Sequence, residues 1–174
     1  MIFLTYCVLL YGGLLAFPGV YVSIVGMFVS LMWTGRFTGA YLNPALTIAC
    51  MIKKERKVPA IKAIFYVFAQ FLGAIVGTFF AWAVKDGLPA PFEAEFQINT
   101  VAEVFGKEVI GTFIYCLIVM IMISSDTTFL ELEIQIWLST PLILVTVCEM
   151  TRLPLGCNPA WSLAYQLVWG IHKE

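Results

Sequence analysis

The stretches Gly39-Ala40-Tyr41-Leu42-Asn43-Pro44-Ala45-Leu46-Thr47 and Gly156-Cys157-Asn158-Pro159-Ala160-Trp161-Ser162 decide the fold, because Asn-Pro-Ala stands in both and opens a short apolar segment each time. One copy alone would mean little, since Asn-Pro is a common turn initiator. Two copies at matching places in two halves point to an inverted-repeat membrane protein with its site near mid-membrane. Each copy also reads as a helix start. Asn is a favoured N-cap, and proline suits the first turn, where its missing N–H would go unpaired anyway.

Outward from these stretches the chain is apolar. Its 174 residues are 61% hydrophobic and only 12% charged, with a mean hydropathy of +0.92. An ordinary soluble surface needs far more charge, so lipid is the solvent for most of the molecule. No charged side chain occurs in residues 1–35, 63–84, 109–125 or 134–148. A helix needs about 20 apolar residues to span the hydrocarbon core. Residues 63–84 meet that length outright; 109–125 and 134–148 span with their charged flanks in the headgroups. Residues 1–35 hold one span, over 21–35 and extended upstream past Pro18, with a short remnant before it. No basic segment precedes it, so no cleaved secretory signal is expected.

Lys53, Lys54, Arg56, Lys57 and Lys62 fall in one connection, whereas Asp86, Glu93 and Glu95 dominate the next. The positive-inside rule puts residues 53–62 on the cytoplasmic or equivalent matrix side. The basic cluster reads as a solvated loop, with anionic lipid contact secondary. Cys7, Cys50, Cys116, Cys148 and Cys157 form no Cys-x-x-Cys pair and read as small buried residues. His172 is the only histidine and there is no glycine-rich phosphate loop. No catalytic residues, metal site or cofactor are therefore expected, and the net charge of −1 argues against nucleic acid as a partner.

Two halves can be superposed as one domain over residues 1–174: a first repeat 1–84, a connecting loop 85–100, and an incomplete second repeat 101–174. Each runs helix, helix, then Asn-Pro-Ala with a half-length helix, and the first continues into a third long helix. If the half-helices meet N-terminus to N-terminus, each contributes about half a positive charge there, which repels cations and protons. The amides of Asn43 and Asn158 can donate to water or a hydroxyl-bearing solute. Gly73-x-x-x-Gly77 is a small-residue face for close helix packing in lipid.

In these residues the chain resembles the aquaporin, or major intrinsic protein, family. Residues 38–47 are similar to its first signature loop, with Tyr41 where a His is frequent; residues 66–77 resemble its third membrane helix and 108–113 its fourth. The resemblance implies an all-α integral membrane protein of about five spanning helices, with two half-helices carrying Asn43-Pro44-Ala45 and Asn158-Pro159-Ala160. It also implies that Glu108 braces the loop of the second Asn-Pro-Ala; the repeat mate of Glu108 falls on Met1. Typical water channels carry Arg immediately after that motif, and here Trp161 takes the position. Leu155 matches another filter position of the family, and Ser23 and Thr146 fall near the remaining two by spacing.

Trp161 is bulky, uncharged and offers one donor, so it would plug the constriction or turn outward to pack on a neighbour. The last helix of the second repeat is expected to be missing, leaving an open side for other membrane subunits or a homo-oligomer to cover. Two functions follow: a poorly or non-conducting structural subunit of a larger membrane assembly, and a passive channel for water or a small neutral solute such as glycerol. The sequence favours the structural subunit.

Overall fold

In a computed structural model describing residues 19–53, 58–85, 101–124, 133–151 and 157–173, the chain forms six α-helices. They are α1 (Gly19–Thr38), α2 (Pro44–Ile52), α3 (Ala60–Lys85), α4 (Val101–Met122), α5 (Glu133–Thr151) and α6 (Pro159–Lys173). At ~1.5 Å per residue, the 26 residues of α3 and the 22 of α4 outreach a hydrocarbon core about 30 Å thick. These two are long and apolar enough to cross a membrane; the uncharged parts of α1 and α5 are shorter.

What faces outward identifies the solvent. On α3 the small or polar Ala63, Gln70, Gly73, Ala74, Gly77, Thr78 and Ala81 are buried, while Phe65, Phe68, Leu72 and Phe80 are exposed. Phe113, two-thirds exposed at mid-helix, does the same on α4. Water would penalise such apolar surface at about 25 cal/mol per Å², whereas lipid does not, and small inward residues let helices approach closely. The molecule is an all-α integral membrane protein. Its serine and threonine hydroxyls are largely consumed within helices, as Ser30 Oγ to Gly26 O at 2.7 Å and Thr78 Oγ1 to Ala74 O at 2.8 Å.

Helix α1 packs on α5, α3 on α6 and α4 on α5, with α2 seated against α3, α4 and α6. Short α2 is held by more than apolar contact. Gln70 Nε2 on α3 donates to Thr47 Oγ1 at 2.9 Å, and that hydroxyl donates to Asn43 O at 2.8 Å. Beyond its C-terminus, Lys53 Nζ donates to Met120 O on α4 at 3.3 Å.

The helices depart from the apolar runs in two places. Helix α4 begins at Val101, upstream of the uncharged run, because Glu103 and Lys107 pair at 3.1 Å across one turn and let the helix continue through charged residues. Glu108 thus lies inside α4. The two half-helices are also unequal, with 9 residues in α2 and 15 in α6.

Candidate functional site

The two Asn-Pro-Ala segments meet. At each, the Asn side chain caps its own helix: Asn43 Oδ1 accepts from Ala45 N at 2.9 Å and Asn158 Oδ1 from Ala160 N at 3.2 Å. Pro44 and Pro159 occupy the first helical positions, where no N–H is needed. The capping oxygen uses only half of each amide, and the other half reaches across. Asn43 Nδ2 donates to Cys157 O at 2.5 Å, and Asn158 Nδ2 donates to Leu42 O at 3.0 Å. The residue before each Asn accepts from the Asn of the opposite half, so the bonds follow the two-fold symmetry of the repeat.

That exchange requires an unusual backbone. Leu42 and Cys157 have φ of 47° and 65°, in the left-handed region that a side chain disfavours by about 1–2 kcal/mol. The turn swings each carbonyl toward the other half, and burial of Asn43, Asn158 and Cys157 holds it there. Leu42 and Cys157 were not singled out by sequence reasoning. The signal was their position immediately before each Asn-Pro, since a chain reversing into a helix N-terminus needs a special residue there.

Each amide carries two N–H groups, and one is used across the junction. The second, on both Asn43 and Asn158, meets no acceptor among the described residues. With the positive ends of α2 and α6 converging here, the junction presents two neutral donors in an electropositive setting. It suits the oxygen of an uncharged molecule and opposes a cation.

Glu108 sits behind the junction: its Oε2 accepts from Cys157 N at 3.1 Å, tying α4 to the turn before α6. Trp161, in the first turn of α6, is 7% exposed, and its Nε1 has no partner among the described residues. The ring packs in the core cluster with Ala160 and Ala164, so its donor is buried and unpaired. Thr146 is exposed on α5 and its hydroxyl donates to Leu142 O at 2.8 Å. Ser23 lies within α1, and only its backbone is described; Leu155 lies outside the described residues. Gly73 and Gly77 lie buried on α3, the helix that packs on α6. No cluster of His, Cys, Asp and Glu able to hold a metal occurs among the described residues.

A family described as Major intrinsic protein matches residues 14–174. The chain is 31% identical over 157 residues to a probable aquaporin PIP2-7 of Oryza sativa subsp. japonica, covering 84% of this chain and 52% of that protein. It is 30% identical over 156 residues to a probable aquaporin PIP1-4 of Arabidopsis thaliana, covering 83% of this chain and 53% of that one. A putative aquaporin NIP4-1 of Arabidopsis thaliana is 28% identical over 169 residues, 95% of this chain and 58% of the relative. The chain spans about half the length of the curated relatives it matches. With that family match over nearly its whole length, the chain belongs to the major intrinsic protein family.

Proposed function

We propose that the protein is a passive membrane channel for water or a small neutral solute, passing across the junction of α2 and α6. One observation carries this reading: the reciprocal bonds of Asn43 and Asn158 leave one amide N–H on each without an acceptor among the described residues, at the meeting point of two helix N-termini. A purely structural element gains nothing from that arrangement, whereas a solute oxygen is matched by it. Relatives named as aquaporins support the same reading. Trp161 puts a neutral side chain where typical water channels carry Arg, and its buried Nε1 meets no partner among the described residues. Lipid and further membrane subunits, or other copies of the chain, cover the exposed apolar faces of α3 and α4, and residues 53–62 face the cytoplasm or matrix.

The structural-subunit reading retains one specific observation, the bulk of buried Trp161 at the filter position. Reconstitution in liposomes followed by an osmotic step separates the two. Shrinkage faster than protein-free liposomes is expected of the channel. Permeability at the lipid background, unchanged by Trp161→Arg, overturns it, and migration within a larger complex in mild detergent would then favour the structural role.

A further inference from the structure

On the side of the junction that carries Lys53, a cavity of about 100 Å³ opens between the end of α1, the turn before α2, the end of α4 and the start of α5. Its wall includes Leu31, Gly35, Tyr41, Ile123, Trp137 and Thr140. At about 30 Å³ per molecule, such a volume takes a few waters or one small solute. Among the described residues, none of the side chains that line it is charged.

Two aromatic rings line it, and each rests against a glycine. A Cβ on Gly35 would stand 2.9 Å from Cε2, Cζ2 and Nε1 of Trp137. No carbon approaches so closely, so the indole sits against the α1 backbone only because residue 35 has no side chain. Gly39, at φ +79°, plays the same part for Tyr41: a Cβ there would lie 3.2–3.3 Å from the phenol ring and its oxygen.

Other contacts fix them there. The Tyr41 ring meets Tyr66 at 6.2 Å, tilted by 45°, and Lys62 Nζ stands 5.3 Å over the Tyr66 ring. Pro141 in α5 has no N–H, so the Trp137 carbonyl lacks its usual helical bond. The Trp137 indole N–H also meets no acceptor among the described residues. The wall thus combines apolar and aromatic surface with the polar groups of Tyr41, Trp137 and Thr140. That chemistry fits a neutral molecule showing both C–H faces and hydroxyls better than it fits an ion.

We propose that Tyr41 and Trp137 form a second selection point on this side of the junction, admitting small neutral polyols by cross-section, its width set by Gly35 and Gly39. This rests on the channel reading above. The test uses the full chain in liposomes, with osmotic steps of glycerol and of the longer polyol erythritol. The variants are Gly35→Ala, Trp137→Ala, Gly35→Ala with Trp137→Ala, and Tyr41→Ala.

Gly35→Ala drives the indole into the cavity and is expected to slow glycerol about tenfold, the scale on which a methyl-sized change is felt in a fitted pocket. Removing the indole as well restores it. Trp137→Ala and Tyr41→Ala raise the ratio of erythritol to glycerol permeability several-fold. A conducting wild type with that ratio unchanged in both alanine variants overturns this proposal and leaves the channel reading standing. So does a double variant as slow as Gly35→Ala. If the wild type is silent but Trp137→Ala or Tyr41→Ala conducts, the rings are a selection point closed to both polyols. Silence in every variant overturns both readings. Should Gly35→Ala fail to reconstitute, the erythritol ratio decides alone.

Discussion

Asn43 performs three tasks with one amide: it caps α2, bonds Cys157 O across the junction, and keeps one N–H that no described residue accepts. Two substitutions separate the first two. Asn43→Ser retains a capping oxygen but loses the cross-junction donor, leaving a buried carbonyl unpaired at a cost of about 1–3 kcal/mol. Asn43→Ala loses the cap too, for a total of about 2–4 kcal/mol. Unfolding in detergent measures both, and an alanine variant no less stable than the serine one would show that the cap contributes nothing. Glu108 can be dissected in the same way. Glu108→Gln keeps an acceptor for Cys157 N and is expected to stay within about 1 kcal/mol of wild type, whereas Glu108→Ala orphans a buried N–H and loses about 1.5–3 kcal/mol. Equal stabilities for the Gln and Ala variants would remove Glu108 from the support of the junction.

At the scale of elements, α3 inverts the pattern of a soluble helix, and the inversion is testable. Ala74 is fully buried in the helix that packs on α6, while Phe68, six residues before it, is two-thirds exposed. Ala74→Leu forces extra methylenes into a tight interface and is expected to lower stability by about 1–3 kcal/mol, whereas Phe68→Leu stays within about 0.5 kcal/mol. The measure is the midpoint of thermal unfolding in detergent; the reverse order would mean that the faces of α3 have been assigned backwards. The elements also show what the sequence could reveal. The half-helix starts were legible because Asn-Pro is a local signal, dictated by capping and by the missing proline N–H. The start of α4 was not, because an i,i+4 ion pair carries the helix past the apolar run used to place it. The contact of Trp137 with Gly35 joins residues about a hundred positions apart, and no local pattern of size or polarity announces it. The bracing role of Glu108 was legible only through family resemblance, since a lone carboxylate beside an apolar run reads equally well as a headgroup-level charge.

For the whole molecule, the decisive quantity is what surrounds the helices. Leu72 lies near the middle of α3 and is half exposed, whereas Ile61, at its start, is 72% exposed. In water both positions would accept lysine with little effect, because an exposed apolar residue gains nothing from its place. In a bilayer depth decides. A lysine at mid-span costs about 2.5–3.5 kcal/mol on insertion scales, while one at a helix end reaches the headgroups along its own methylenes. Leu72→Lys is therefore expected to cut the fraction of chain that resists alkaline extraction from membranes, and Ile61→Lys to leave it near wild type. Equal retention of the two would contradict the placement of α3 across the bilayer. Preferential loss of Ile61→Lys would contradict its depth. The junction depends on this placement, because the field of two helix N-termini is strong only where water is excluded. A chain that moved α3 out of the hydrocarbon would keep the bonds of Asn43 and Asn158 and lose the low dielectric that strengthens the field around them.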